Sequence, residues 1–239
     1  MSSNQHAKKI ARTPSGKIIF ITGTDTGVGK TIFTGLLVHH LRTAGIHALA
    51  MKPFCSGGRG DVRLLRAMQD AALTEDEINP FYFPEPVAPL VSARQHKRNI
   101  SLEEVVRQIK KIARPCECLL VEGSGGLMVP LGEKYCVSDL IRRLKCEVIL
   151  VSRNQLGTIN HTLLTANALK RLGAKNISVA LMGTSKKDAS VKKNADLLRE
   201  LLGKIPVREM VFLGKNPNKS GVLKKSHTKV KKTLAQFCR

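Results

Sequence analysis

Residues 18–31 read Ile18-Ile-Phe-Ile-Thr-Gly-Thr-Asp-Thr-Gly-Val-Gly-Lys-Thr31. Its first five residues are apolar or β-branched and predict a short buried strand. A loop rich in Gly and Thr follows and closes on Gly29-Lys30-Thr31, and an apolar-periodic run begins at Ile32. Strand, Gly-rich loop, Lys-Thr, helix is the layout of a phosphate-binding P-loop. Backbone N–H groups turn inward around phosphate oxygens, and the helix N-terminus adds partial positive charge. Lys30 then reaches the outer phosphates and the Thr31 hydroxyl sits on Mg²⁺. The general spacing asks for Gly at 24, but the chain has Thr24, and its glycine is Gly23, one residue earlier. A Gly-rich turn with no ligand is the plainer reading. The strand before and the helix after meet the context that the motif requires.

The chain has 239 residues, a formal net charge of +22, seven His, six Cys and no Trp. That length suits one domain, read as residues 17–218, with a polar basic leader over 1–16 and a basic tail over 219–239. No run of about 18 apolar residues exists, and the first residues lack the apolar core of a signal peptide, so a cytoplasmic protein without a membrane span is expected. The cysteines include no C-x-x-C pair, so free thiols are expected. Over residues 186–239 the acids are Asp188, Asp196, Glu200 and Glu209, set among many Lys and Arg. Aromatic residues there are Phe212 and Phe237. No stacking platform for single strands is visible, and a solvated basic face is preferred to a nucleic-acid partner.

Strands alternate with helices along the chain. Helical spacing runs over 32–43 and ends at Gly45. A strand over 48–51 delivers Lys52-Pro53, and a flexible loop leads to Asp61, read as the cap of a helix over 62–71. Residues 79–90 carry Pro80, Pro84, Pro86 and Pro89 and read as an ordered loop. Ser101 and Glu104 form a capping box before a helix over 105–113. Further strands are expected over 118–121, 147–151, 178–182 and 209–213, with helices over 138–144, 158–172 and 191–202. The Lys-rich C-terminus reads as weakly helical at best. Short all-apolar strands between helices imply α/β architecture: three layers, a mostly parallel sheet with helices on both faces. Ligands bind such sheets off the carboxyl ends of the strands. The strand ends here carry the P-loop, Lys52 and Glu122.

A nucleoside triphosphate with Mg²⁺ needs carboxylates near the P-loop Thr. Glu122 follows a buried strand, and its plainer role is to cap the Gly-rich turn after it. Asp61 follows Lys52 as the next acid, and its plainer role is the helix cap. Lys52 shares the pocket end of the sheet with Lys30, and two ammonium groups over one phosphate neutralise charge as it leaves. No Ser/His/Asp or Cys/His set is present, and the His residues are scattered.

These pieces resemble the dethiobiotin synthetase family. The resemblance rests on Gly23-Thr-Asp-Thr-Gly-Val-Gly-Lys-Thr31, Lys52-Pro-x-x-Ser-Gly57, Pro80 with Glu85-Pro-x-x-Pro89, Val121-Glu-Gly-x-Gly-Gly126 with Pro130-Leu131, and Leu156-Gly-Thr-Ile-Asn-His161. It spans residues 18 to about 172, and the longer P-loop is this family's own form. It implies a P-loop NTPase fold and a cyclo-ligase. 7,8-Diaminopelargonic acid, CO₂ and ATP become dethiobiotin through a carbamate and a carbamic-phosphoric anhydride. It implies Lys52 and Lys30 as catalytic residues and Thr31, Asp61 and Glu122 as the Mg²⁺ site. The nucleotide would meet Thr26, Gly27, Val28, Gly29, Lys30, Thr31, Ile32, Asp61, Glu122, Gly123, Ser124, Gly125, Thr184, Ser185, Asn216, Pro217 and Asn218. The substrate would meet Thr26 and Ser56, with Gly157, Thr158 and Asn160 supplied across a homodimer interface. The chain departs from the family pattern at the base. Thr184 stands where the family has Asn, and Asn216 stands for Ile in Gly214-Lys-Asn-Pro217. A Thr makes one contact where an amide makes a donor–acceptor pair, so a loosely read base is expected.

A P-loop ATPase of the partitioning or assembly type, binding nucleic acid or membrane through its basic tail, is the alternative. Such proteins use a second Lys early in the P-loop. This chain has Thr24 and Asp25 there and no Lys between Lys17 and Lys30.

Overall fold

The computed structural model describes residues 16–185, 189–214 and 217–238. The leader expected before residue 17 therefore lies, apart from Gly16, outside the described residues. In chain order the elements are β1 (Lys17–Gly23), α1 (Lys30–Thr43), β2 (Ala48–Met51), β3 (Phe54–Ser56), α2 (Gly60–Met68), α3 (Glu75–Ile78), β4 (Phe81–Phe83), α4 (Pro89–Gln95) and α5 (Leu102–Ala113). Then come β5 (Cys118–Gly126), β6 (Pro130–Gly132), β7 (Tyr135–Cys136), α6 (Val137–Leu144), β8 (Glu147–Arg153), α7 (Thr158–Arg171), β9 (Lys175–Met182), α8 (Val191–Leu202), β10 (Val207–Met210) and α9 (Ser220–Leu234).

The central sheet has the order β10-β9-β8-β1-β5-β2. All its pairings are parallel. In β1, Phe20 and Ile21 are both fully buried. Successive strand residues point to opposite faces, so both faces of the sheet are covered, as the unbroken apolar run predicts. The P-loop strand lies inside the sheet, between β5 and β8. Its carboxyl half is therefore flanked by β5, where Glu122 stands beside Ile21, and by β8, which ends at Arg153. Beside the sheet, β3 and β4 form a small parallel pair, and β6 and β7 an antiparallel one.

Several expectations need correction. The Lys-rich C-terminus is a 15-residue helix, α9, whose Leu223, Val230 and Leu234 are buried. Packing of that apolar stripe against α1 outweighs the mutual repulsion of the lysines and the poor helix propensity of Gly221, Val222, Thr228 and Thr233. The strand expected over 209–213 is β10, Val207–Met210. Pairing begins earlier because Pro206 O accepts from Val179 N at 2.8 Å. Val211 and Phe212 leave the sheet and are half exposed. The helix expected over 62–71 ends at Met68, and Asp70 and Ala71 take left-handed φ of 53° and 56°. Asp61 lies in the first turn of α2 and makes no cap bond; Arg59 holds the cap position. The charge of Lys52 draws its carboxylate away. The proline-rich loop contains β4, and Pro89 opens α4 at a position where a missing N–H costs nothing. Ser101 caps α5 as expected, accepting from the Glu104 N–H at 3.1 Å.

Candidate active site

The loop between β1 and α1 wraps tightly over its own start. Thr24 N donates to Val151 O at 3.0 Å, which ties the loop to β8. A Cβ on Gly23 would lie 2.9 Å from the Val28 side chain and 3.0 Å from both Asp25 O and Lys30 Nζ. The loop therefore needs glycine at 23. Gly29, with φ of 105°, turns the chain into α1. Lys30 Nζ donates to Asp25 O at 2.8 Å. Burial is the main reason that the Lys30 ammonium is pulled down to about 8, with nearby Lys52 adding to it against the pull of Glu122.

Thr31 in the first turn of α1, Lys52 just past β2, Asp61 in the first turn of α2 and Glu122 within β5 meet here. The strand expected over 118–121 runs on to Gly126, so Glu122 stands within β5; 1% exposed, it accepts on Oε1 from the Thr31 hydroxyl at 2.7 Å and from Lys52 Nζ at 2.9 Å. Lys52 Nζ also donates to Asp61 Oδ2. Burial disfavours the Lys52 charge, but Glu122 and Asp61 outweigh it and raise the ammonium above its ordinary value. Burial likewise opposes the Asp61 charge, and Lys52 overcomes it and holds the carboxyl low. Glu122 Oε2 is buried with no hydrogen-bond partner among the described residues. A buried carboxylate oxygen beside a P-loop hydroxyl and a second carboxylate is a donor set suited to a hard divalent cation.

Two cavities are lined by parts of the P-loop. One, of about 410 Å³, is lined by Thr26, Lys52, Cys55, Ser56, Ser124, Gly125, Val129 and the segment Pro86-Val-Ala-Pro89. The small β3–β4 pair and the prolines build its far wall. Ser124 Oγ holds Phe54 O at 2.8 Å, and Gly57 sits so close to Pro86 that a Cβ would come within 2.7 Å of it. The Ser56 hydroxyl is buried with no partner among the described residues. Burial favours the neutral form of the Cys55 thiol and pushes it above its ordinary value, against the pull of Lys52.

The other cavity, of about 360 Å³, is lined by Gly27, Val28, Gly29, Ile32, Arg153, Gln155, Met182, Gly183, Thr184, Ser185, Val211, Phe212, Leu213, Gly214 and Pro217. The P-loop thus contributes to both: Thr26 lines the cavity that holds the Lys52 ammonium and the Ser56 hydroxyl, and Gly27, Val28 and Gly29 line the other, whose walls include Met182, Val211, Phe212 and Leu213.

The called residues divide accordingly. Gly27, Val28, Gly29, Ile32, Thr184, Ser185 and Pro217 line the apolar-walled cavity. Thr26, Ser56, Ser124 and Gly125 line the cavity of Lys52. Gly123 packs on Phe20, where a Cβ would meet the ring at 2.9 Å. Asn216 lies outside the described residues, and Asn218 is exposed beside Pro217. Gly157 and Asn160 are exposed at the start of α7 and line neither cavity. Thr158 is buried, and its hydroxyl pairs with Ser152 Oγ at 2.7 Å. Sequence reasoning missed Arg153, Gln155 and Phe212 in one cavity and Cys55 in the other. Arg153 ends β8 and Gln155 comes two residues later, the kind of position after an apolar run that had already singled out Lys52.

Fold and site together define a nucleotide-binding protein of the P-loop class. The model of the AAA domain matches residues 17–212. Solved structures at low identity share the fold. A ParA family ATPase from Chlorobium tepidum aligns over 94% of this chain and 98% of its own, with a TM-score of 0.59 and 14% identity. A putative plasmid partition protein from Borrelia burgdorferi bound to AMPPNP gives a TM-score of 0.60 at 12% identity, over 93% of this chain and 98% of its own. Sequence relatives are much nearer. The ATP-dependent dethiobiotin synthetase BioD of Bacillus licheniformis is 42% identical over 193 residues, 78% of this chain and 82% of that protein. BioD of Bacillus subtilis is 37% identical over 213 residues, 87% of this chain and 90% of that protein. The chain belongs to the ATP-dependent dethiobiotin synthetases. The partitioning or assembly alternative is not favoured, since its support is a shared fold alone. Among the described residues no helix is long and apolar enough to cross a membrane.

Proposed function

We propose that this chain is a dethiobiotin synthase, a cyclo-ligase of biotin biosynthesis. It joins 7,8-diaminopelargonic acid to CO₂ with ATP and closes the cyclic urea. The observation that carries the reading is the single oxygen Glu122 Oε1. It accepts from the P-loop Thr31 and from Lys52, which lines the cavity of Thr26 and Ser56, and so couples a phosphate end to a substrate end.

In this reading the diamine lies in the cavity of Thr26, Ser56 and Lys52, with the unpartnered Ser56 hydroxyl available to it. One amine adds to CO₂, forming a C–N bond and releasing a proton. A carbamate oxygen then takes the γ-phosphoryl group of ATP, and ADP leaves. The second amine attacks the carbamoyl carbon, and the C–O bond to phosphate breaks. No protein nucleophile is needed. The chain supplies position and positive charge. Lys52 neutralises the carbamate and the phosphate oxygens that it becomes bonded to, and Lys30 neutralises the phosphates over the P-loop. Thr31, Asp61 and Glu122 would hold Mg²⁺, and the buried lone Glu122 Oε2 fits that task; the ion would supply charge neutralisation at the phosphates. Val211, Phe212 and Met182 give a nucleobase apolar walls, and Thr184 and Ser185 give it few polar contacts.

A cytoplasmic homodimer belongs to the same proposal. Leu156 and Leu164 on and before α7 are 81% and 63% exposed, and Met128 is 75% exposed. Large exposed apolar side chains of this kind support a contact with a second copy. Such a contact would carry Gly157, Thr158 and Asn160, at a helix N-terminus, toward the substrate carboxylate of the partner's site.

The test is one assay with ATP, Mg²⁺, bicarbonate and diaminopelargonate, read by mass spectrometry. Dethiobiotin and ADP should appear together. ATP binding without dethiobiotin would overturn the reading.

A further inference from the structure

Lys52 stands just past β2, the edge strand of the sheet. An edge strand leaves a row of backbone groups unpaired. Here two buried carboxamides take them. Gln69, fully buried after α2, accepts from Ala50 N at 2.9 Å and donates to Ala50 O at 3.0 Å. It pairs with Ala50 as a neighbouring strand would. Asn79, 1% exposed after α3, donates from Nδ2 to Lys52 O and to Pro53 O, both at 3.0 Å. Both neighbours of that nitrogen are carbonyls, so the amide orientation is fixed by chemistry. Lys52 N donates to Ile78 O at 2.9 Å, and Phe81 N donates to Pro53 O at 3.0 Å. The backbone around Lys52 is thus held by residues 78–81 rather than by the sheet.

We propose that Asn79 is a positioning residue for the ligase reaction, acting through Lys52. Its two donors fix the Lys52–Pro53 corner. With the main chain fixed, the buried Lys52 ammonium can reach Glu122 and Asp61 and still face the cavity. Gln69 holds the strand two residues upstream and sets the direction from which Lys52 leaves it. The proposal rests on the assignment of Lys52 above.

The decisive variant is Asn79→Ala, which removes both donors without adding bulk. It should lower kcat for dethiobiotin formation about tenfold or more while KM for ATP stays within about twofold, because misplacing a reacting group costs turnover before binding. A second readout reports on Lys52 itself: acetic anhydride labelling, followed by mass spectrometry. In Asn79→Ala the labelling of Lys52 should rise severalfold while that of Lys30 is unchanged. Asn79→Ser, a milder change that keeps one donor, should fall between the parent and Asn79→Ala in both readouts. It carries the test if Asn79→Ala does not fold. Turnover within about twofold of the parent would overturn the proposal. So would a parallel rise in the labelling of Lys30 and Lys52 with a worsened KM for ATP, since that reports general loosening. Failure of the underlying assignment looks different: Lys52→Ala would itself keep full turnover.

Discussion

Glu122 meets two demands with one buried carboxylate. Oε1 accepts from Thr31 and Lys52, while Oε2 has no donor among the described residues. Glu122→Gln keeps the shape, removes the charge and turns one acceptor into a donor. The Mg²⁺ concentration for half-maximal turnover should rise about tenfold or more, by analogy with the cost of losing a metal-site partner. An unchanged Mg²⁺ requirement would separate Glu122 from the ion. Lys30 gives a pH test. Burial pulls its ammonium down to about 8, so the charged form prevails below that pH and is lost above it. Phosphate binding uses the charge. The Kd for ATP should therefore rise as pH is taken from about 7 to about 9, and Lys30→Arg, charged throughout, should flatten the curve. Lys30, Lys52 and Glu122 were legible in the sequence from the P-loop and from the apolar strand residues that precede them, and Asp61 as the next acid after Lys52. Asn79 and Gln69 were not. A carboxamide declares its partners only when distant backbone is brought beside it.

At the scale of elements, the strands and helices that flank the sheet were legible from short apolar runs and Gly punctuation. The β3–β4 pair was hidden by its shortness and by the four prolines around it. The final helix, α9, was hidden by its lysines. Its core stripe of Leu223, Val230 and Leu234 is interleaved with Ser226 and His227, which are buried too. His227 brings a pH consequence. Its Nε2 lies 3.0 Å from His40 Nδ1, and the His39 ring packs edge-on at 5.2 Å. Burial lowers all three below the ordinary 6.5. Lys224 and Arg42 add to this at His39 against Asp70, and Lys231 adds to it at His40 and His227. The unfolded chain therefore binds protons first as pH falls. The share of the α1–α9 contact's stability that depends on neutral imidazoles is full above about 6.5 and falls progressively below it. Thermal unfolding should show Tm falling between about pH 7 and pH 5.5, with a shallower slope in His227→Gln. A Tm that rises on acidification would contradict this sign.

At the scale of the whole molecule, one sheet end gathers the P-loop, two carboxylates, two lysines and two cavities, while Leu164 on α7 and Leu156 just before it face outward. Sedimentation should therefore find a dimer. Leu164→Asp should split it and lower turnover at low protein concentration, since a site that borrows the start of α7 is incomplete alone. A fully active monomer would remove the shared-site proposal. The most direct measurement of the central claim, phosphoryl transfer onto a carbamate held beside Lys52, follows oxygen. The reaction is started with ¹⁸O-labelled CO₂ and stopped before exchange with water. The expected result is one labelled oxygen in the inorganic phosphate and one in the ureido carbonyl of dethiobiotin. Phosphate released without label would mean that water, and not a carbamate, receives the γ-phosphoryl group.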